Sequence, residues 1–186
     1  RIVVDAHKVC KLNAKGYAAQ AKFHTRNHVG PSGVIYAGTK QGYRQKGDTS
    51  EYPGGYFITY DPRNDTARNL GIPYKKQGIA DVVADESRGL AYIVTCEDQH
   101  WMLYDVATRK FTELGPMLTP YATTLMDAEG KAHALTKDFQ LATYDPATKK
   151  VSRRPIGIGG KTFTRESRSS IPTWNLDADG RTAWLI

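Results

Sequence analysis

YDPRNDT at residues 60–66, YDVATRK at residues 104–110 and YDPATKK at residues 144–150 are three versions of one heptapeptide. Each begins with Tyr-Asp, and successive Tyr-Asp pairs are 44 and 40 residues apart. Proline restricts φ, and aspartate and asparagine hydrogen-bond to nearby backbone amides, so each heptapeptide predicts a turn between two strands. Self-similarity at this spacing is typical of repeat architectures.

A second signal recurs in register with the first. A glycine-containing turn leads into a short apolar segment ahead of each Tyr-Asp pair and once more beyond the last pair, as expected for a β-hairpin. These segments begin at Gly33, Gly89, Gly130 and Gly180. Each repeat therefore supplies four short strands, which in the central repeat are predicted over residues 80–84, 90–95, 101–105 and 110–114. No segment of ten or more residues keeps a helical apolar period, so little helix is expected.

The two signals together predict an all-β fold, a β-propeller of four-stranded antiparallel blades. A β-sandwich is the alternative, but it does not explain why both signals return in the same order. About four blades fit into one domain. An incomplete ring exposes sheet edges, so we expect the remaining blades of a larger propeller to come from the parent chain or a partner. The expected blades cover residues 1–22 (partial), 23–79, 80–122, 123–172 and 173–186 (partial).

Charge and composition limit the classes of function. Lysine and arginine outnumber aspartate and glutamate by 26 to 19, a net charge of +7 that favours an anionic partner, with an ordinary solvated surface as the alternative. No apolar run reaches the roughly 20 residues of a membrane span, and no nucleic-acid recognition module is apparent. Cys10 and Cys96 are far apart and allow one long-range disulfide. Because the chain starts without Met, we expect a processed or truncated segment.

The repeated Tyr-Asp and glycine turns resemble a broad group of seven-bladed propellers that includes the Kelch-like, sugar-lactonase-like and streptogramin-lyase-like families. The resemblance covers about residues 20–186 and extends distantly to propeller-fold polysaccharide lyases. It specifies architecture, since unrelated chemistries share the fold. It implies that the first strand of each blade lines a central channel and that certain loops gather on one face. These loops are residues 40–55, 71–79, 96–100 and 156–171.

The most specific local signal is FHTRNH at residues 23–28, a predicted channel-lining strand. Because side chains alternate along a strand, His24, Arg26 and His28 should share one face. Histidine can exchange protons near neutral pH, and arginine can hold a carboxylate through two hydrogen bonds. A polar, solvated strand face or hydrogen-bonded core histidines are the alternative explanation.

The long insert at residues 40–55 interrupts a hairpin that is short in the other repeats, and such loops are often functional. Its tyrosines could stack on sugar rings, and its basic residues could attract negative charge. Basic residues recur in the connections expected on the same face. The predicted substrate-binding residues are Tyr43, Arg44, Tyr52, Lys75, His100, Arg165 and Arg168.

These residues favour a carbohydrate-active propeller that acts on or binds an acidic polysaccharide outside the cytoplasm. Lyases of this fold use His, Tyr and Arg, so the resemblance implies Arg26 as carboxylate neutraliser, His24 or His28 as base and Tyr74 as acid. A non-catalytic binding module is the first alternative. A sugar-lactonase-like hydrolase is the second, with Asp81, Asn175 and Asp177 as fragments of a metal site. No sequence motif identifies a cofactor or a metal, so both stay unknown.

Overall fold

The computed structural model describes residues 2–18, 22–42, 44, 46–162 and 174–185. Short strands dominate this part of the chain, and the helices are confined to its start. The helices are α1 (Ala6–Val9) and α2 (Leu12–Lys15). The strands are β1 (Lys22–Phe23), β2 (His28–Val29), β3 (Ile35–Lys40), β4 (Phe57–Asp61), β5 (Thr66–Gly71), β6 (Gly78–Asp85), β7 (Leu90–Cys96), β8 (Trp101–Asp105), β9 (Lys110–Glu113), β10 (Thr124–Met126), β11 (Ala132–Leu135), β12 (Gln140–Asp145), β13 (Lys150–Pro155), β14 (Gly157–Ile158), β15 (Lys161–Thr162), β16 (Trp174–Leu176) and β17 (Ala183–Leu185).

The strands form three successive antiparallel sheets and two hairpins. In the first sheet β1 and β2 both pair with β3, which continues through β4 to β5. The second sheet has the order β6-β7-β8-β9 and the third β10-β11-β12-β13. The hairpins are β14–β15 and β16–β17. The prediction of an all-β fold made of four-stranded antiparallel blades is confirmed.

The repeat read from the sequence is also a repeat in space. Tyr60, Tyr104 and Tyr144 occupy β4, β8 and β12, the third strand outward in each sheet. The strands of the second sheet begin and end within about two residues of the predicted bounds.

The turns repeat in backbone conformation. Asp65, Arg109 and Lys149 are each the sixth residue of their heptapeptide, and their φ angles of 53°, 56° and 56° all lie in the left-handed region. The glycine turns repeat as well, since each glycine amide donates to the carbonyl three residues earlier. These glycines are Gly33, Gly89, Gly130 and Gly180.

The second sheet is buried on both faces. Ala91 and Ile93 of β7 pack toward the first sheet, and Tyr92 and Val94 of the same strand pack toward the third. The alternation places apolar side chains on both sides, which explains why β7 reads as a nearly continuous apolar run. β6 contacts β2 and β3 of the first sheet and β10 of the third, so the inner strand of the second sheet lies between the other two sheets.

The N-terminal segment differs from the partial blade expected over residues 1–22. It forms α1 and α2, and the Asp5 carboxylate caps α1 by accepting from the amide of His7 at 3.0 Å. This segment buries Cys10 and Leu12 against Tyr56, which precedes β4, and Ile58 of β4. Within the described ranges, no helix is long and apolar enough to cross a membrane.

The disulfide that the sequence left open does not form. Cys10 and Cys96 are both free and buried. Burial raises the pKa of the Cys10 thiol to about 12 and that of Cys96 to about 11, so both stay protonated at neutral pH.

Candidate functional site

The inner edge of the first sheet is interrupted where the sequence predicts one continuous strand. β1 ends at Phe23 and β2 begins at His28, and both pair with β3. Between them, the His24 amide donates to the Gly38 carbonyl at 2.9 Å, and the Thr25 hydroxyl accepts from the Gly38 amide at 3.0 Å. The strand breaks because a side-chain oxygen replaces a backbone carbonyl as the partner of that amide.

The three basic side chains predicted as a catalytic set lie on one side of this segment, against the inner strand of the second sheet. They therefore share a side, as side-chain alternation predicts, and that side faces a neighbouring sheet. Whether they act on a substrate stays a prediction. Their contacts along β6 are, in order, His24 with the Ile79 carbonyl, Arg26 with the Asp81 carboxylate and His28 with the Ala84 backbone.

Arg26 joins three sheets through one carboxylate. Its Nε and Nη2 donate to the two oxygens of Asp81 at 3.2 and 2.9 Å, and the amide of Thr124 in β10 donates to the same carboxylate at 2.9 Å. The Asp81 side chain is 1% exposed and that of Arg26 is 50% exposed. Burial raises the pKa of Asp81, and Arg26 and the Thr124 amide oppose that rise. Two guanidinium nitrogens of Arg26 are thus engaged within the protein.

Burial lowers the pKa of His24 and of His28, so both imidazoles are favoured in the neutral form. For His28, the Ala84 backbone, Asp81 and Glu86 act in the opposite direction. The Nε2 atom of His28 is buried without a hydrogen-bond partner among the residues that the structure describes. A neutral imidazole is the form a general base requires.

The lowered histidine pKa values predict a loss of stability in acid. A group with a folded pKa below its unfolded value of 6.5 contributes stability above about pH 6.5, and that contribution falls as the pH drops through the folded value. We expect the free energy of unfolding to fall less between about pH 7.5 and 5 in His28→Gln than in the unsubstituted chain. Urea titrations at several pH values measure this difference. An unchanged or steeper fall in His28→Gln would contradict it.

Three of the loops expected on one face meet there, and we call residues 40–55, 71–79 and 96–100 the loop face. The Lys76 amide donates to the Pro53 carbonyl at 2.8 Å, and the Gly55 amide donates to the Gln77 carbonyl at 2.7 Å. Gln77 also exchanges two hydrogen bonds of 2.9 Å with Asp98. The insert, the connection and the short loop are therefore one hydrogen-bonded unit.

An ion pair of the loop face lies close to His24. Lys40 and Glu97 are 2.7 Å apart, and the Glu97 carboxylate also accepts from the Gly78 amide at 2.8 Å. Lys40 lowers and Glu97 raises the pKa of His24, so both charges act on this imidazole. His24 thus lies where the inner edge of the first sheet reaches the loop face.

Tyr74 and His100 form an aromatic pair on the loop face. Their rings stack with centroids 3.7 Å apart and an angle of 14° between the planes. The Nδ1 atom of His100 lies 2.7 Å from a carboxylate oxygen of Glu113, and the His100 side chain is largely buried. The predicted acid, Tyr74, and the predicted substrate-binding residue His100 are therefore in direct contact.

The other predicted substrate-binding residues differ in exposure. Arg44 and Lys75 are exposed, and Tyr52 is half-buried with its hydroxyl 3.5 Å from the Gln41 amide. Burial raises the pKa of Tyr52, which keeps the phenol neutral. The three remaining predicted residues, Tyr43, Arg165 and Arg168, lie outside the described residues.

Sequence reasoning missed the structural role of Asp81. The residue was noticed only as a fragment of a metal site, whereas its carboxylate holds Arg26 and Thr124. The available signal was a charged residue inside the otherwise apolar run GIADVVA, because a buried charge requires partners. The ion pair between Lys40 and Glu97 had no comparable signal.

A metal site of the lactonase type receives no support from the contacts of its candidate ligands. Asp81 is engaged as described, and a carboxylate oxygen of Asp177 accepts from the neighbouring Ala178 amide at 2.7 Å. Among the described residues, no group of three or more His, Cys, Asp or Glu side chains could hold a metal ion.

No family model and no curated protein matches this chain. Among solved structures, it resembles the extracellular domain of a protein described as the one-component system BT4673 from B. thetaiotaomicron, with a TM-score of 0.56 and 17% identity. That match covers 88% of this chain and 20% of the other. A protein described as a 6-phosphogluconolactonase from Bacteroides uniformis matches with a TM-score of 0.52 and 13% identity, over 91% of this chain and 51% of the other.

A third similar structure is a chain in the crystal structure of the mitotic checkpoint complex. It has a TM-score of 0.55 and 8% identity, and the match covers 90% of this chain and 44% of that one. The chain therefore spans about half or less of each of these three structures. Likeness at such low identity carries no activity across. Together with the repeated four-stranded sheets, it shows that this chain has a β-propeller-like fold.

Proposed function

We propose that this chain is part of a β-propeller that binds an acidic polysaccharide at the loop face. The observation that carries the proposal is the meeting of three loops beside His24, with the basic side chains of Arg44, Lys75 and Lys76 exposed on them. Long loops that converge on one face of a rigid scaffold commonly form binding sites.

The charges of the loop face favour a polyanion. Three of its carboxylates have partners within the face: Glu97 pairs with Lys40, Asp98 bonds to Gln77, and Asp48 accepts from Ser50. Lys75 and Lys76 have no acidic partner in the part of the chain that the structure describes. The net charge of +7 attracts anions to the chain, and these unpaired lysines are available to bind an anionic ligand.

The contacts of the predicted catalytic residues favour binding without elimination. The lyase hypothesis assigns Arg26 to neutralise the uronate carboxylate, and the Arg26 guanidinium already holds Asp81. Tyr74 is stacked on His100, and the Nε2 atom of His28 is buried. We therefore place non-catalytic binding ahead of lyase activity, and His24 remains the best-placed neutral base if elimination occurs.

The decisive experiment compares two double variants that remove the same charge from opposite ends of the sheets. Arg44→Ala with Lys75→Ala acts on the loop face, and Lys110→Ala with Lys150→Ala acts at the Tyr-Asp turns. We expect the first to weaken binding to pectate or a glycosaminoglycan about threefold to tenfold and the second by less than about twofold. Biolayer interferometry measures both, and binding should weaken as salt rises from about 0.05 to 0.5 M.

Absorbance separates binding from lyase activity, because β-elimination leaves an unsaturated uronate that absorbs in the ultraviolet. Pectate, alginate, ulvan and glycosaminoglycans are incubated with the chain in parallel. New absorbance, lost in His24→Ala, would replace the non-catalytic proposal with the lyase. Equal effects of the two double variants, or no binding to any of these polymers, would refute the acidic-polysaccharide ligand.

The proposal also covers the rest of the propeller and the location of the protein outside the cytoplasm. We propose that the expected blades belong to a larger ring completed by the parent chain or a partner. Support comes from the second sheet, which another sheet covers on each face, and from the larger size of the similar structures. The likeness to an extracellular domain is compatible with a location outside the cytoplasm.

A further inference from the structure

The connection between the second and third sheets, residues 115–123, continues the loop face. The Leu118 amide donates to the Gln99 carbonyl at 3.0 Å, which ties this connection to the loop at residues 96–100. Leu118 and Ala122 are buried in the core between the two sheets. The connection is therefore held in a fixed position next to the loop face.

Tyr121 of this connection adopts a backbone conformation that is unusual for a tyrosine. Its φ angle of 59° lies in the left-handed region, which favours glycine or asparagine in a turn. The Ala122 amide donates to the Thr119 carbonyl at 3.0 Å, so Tyr121 is the third residue of a tight turn. Thr119 and Ala122 are buried and hold this turn from both sides. The surrounding structure therefore imposes a strained conformation on Tyr121.

The side chain of Tyr121 does not offset this strain by packing. It is 73% exposed, whereas Tyr92, Tyr104 and Tyr144 are buried in the core. Backbone strain that brings no packing is concentrated at sites that bind ligands. A tyrosine also loses little conformational entropy when a ligand contacts it, because it has only two side-chain torsions. Tyr121 is thus a ring held ready in solvent on a rigid turn.

The preceding connection contains the same turn with a cation in place of the ring. The Gln77 amide donates to the Tyr74 carbonyl at 3.4 Å, and the third residue of that turn, Lys76, has a φ angle of 60°. Lys76 is exposed, like Tyr121. Equivalent turns of neighbouring sheets therefore present an ammonium group and an aromatic ring.

We propose that Tyr121 stacks on a sugar ring of the acidic polysaccharide, with Lys76 and Lys137 binding the carboxylates of other units of the same chain. This inference rests on the proposed function and extends its site to the third sheet. Lys137 is exposed, and its amide donates to the Met117 carbonyl of the same connection at 2.9 Å. A ring accompanied by two cations suits a polymer whose units each carry an apolar ring face and a carboxylate.

The test measures pectate binding to Tyr121→Asn and Tyr121→Phe by biolayer interferometry. Asparagine tolerates the left-handed backbone, so Tyr121→Asn removes the ring and keeps the turn. We expect Tyr121→Asn to weaken binding about fivefold at both 0.05 and 0.2 M salt, because salt does not screen stacking. Tyr121→Phe keeps the ring and should stay within about twofold. The loss in Lys137→Ala should shrink at the higher salt concentration.

The thermal midpoint separates a binding role of Tyr121 from a structural one. Because asparagine suits the turn and the ring is exposed, Tyr121→Asn should leave the midpoint unchanged or raise it. Scanning calorimetry measures the midpoint. Val106→Asn is the matched control, since it removes another exposed apolar side chain, 52% exposed, at a Tyr-Asp turn. It should leave pectate binding within about twofold of the original value.

The inference is overturned if Tyr121→Asn binds pectate normally, if Tyr121→Phe loses as much affinity as Tyr121→Asn, or if Val106→Asn loses as much. Tighter binding of an oligodeoxythymidylate than of pectate would assign the ring to a nucleic-acid base and overturn it as well. A loss confined to Arg44→Ala with Lys75→Ala refutes the role of Tyr121 and leaves the loop face in place. A loss confined to Tyr121→Asn supports the stacking and refutes the charged loop face.

Discussion

Asp81→Ala is expected to lower the free energy of unfolding by about 3 kcal/mol. The carboxylate is buried, and it accepts from two nitrogens of Arg26 and from the amide of Thr124. Its loss leaves the buried Thr124 amide without a partner, which alone costs about 1–3 kcal/mol. Because Arg26 is half exposed, its guanidinium can turn to water, and the effect stays at the low end for a buried ion pair.

Glu129→Ala is the control, since it removes a carboxylate from the exposed ion pair with Lys131. That change should alter the free energy of unfolding by less than about 0.5 kcal/mol. Urea denaturation followed by circular dichroism measures both variants. A loss below about 1 kcal/mol in Asp81→Ala would mean that the contact between the three sheets contributes little.

Arg26→Ala separates the structural role of this arginine from a catalytic one. It leaves the buried Asp81 carboxylate with only amide partners, which raises its pKa in the folded state. A raised folded pKa means that the folded state binds the proton more tightly. The loss in the free energy of unfolding that Arg26→Ala causes should therefore shrink as the pH falls. If Arg26 is structural, the folded variant should keep its affinity for the polysaccharide.

Gly55→Ala is expected to lower the free energy of unfolding by about 3 kcal/mol or more. Gly55 lies where the long insert re-enters the first sheet. A Cβ atom there would overlap with the Thr39 carbonyl oxygen and lie 3.1 Å from Gly78 Cα. Both neighbours are backbone, so relief requires the chain at Gly55 to move away from β3 of the first sheet and from β6 of the second. The same shift would weaken the hydrogen bond from the Gly55 amide to Gln77 and disturb the loop face.

Gly157→Ala is the matched control for Gly55→Ala. Its nearest neighbour, the Lys161 carbonyl oxygen, lies 3.7 Å from the added Cβ atom, which is ordinary contact. The change should alter the thermal midpoint by no more than a few degrees. Scanning calorimetry of both variants, with polysaccharide binding measured alongside, tests the expectation. Equal midpoints for the two variants would show that the backbone at Gly55 can yield.

The repeating architecture could be predicted from the sequence because turn geometry is local. The Asp at the second position of each heptapeptide accepts from an amide of its turn, and the sixth residue, Asp65, Arg109 or Lys149, is left-handed in each. The turns then fix which segments pair as neighbouring strands. For that reason the strands of the second sheet, and the equivalence of the three tyrosines, follow from a short repeated pattern.

The arrangement of the candidate site depended on the tertiary structure. Alternation along a strand placed His24, Arg26 and His28 on one side, but only the packing of β6 against that side supplied Asp81 as a partner 55 residues away. The stacking of Tyr74 on His100 likewise joins two loops from different parts of the chain. Sequence periodicity is set by neighbours along the backbone, whereas the partner of a side chain is set by which sheets pack together, and that is a long-range property of the fold.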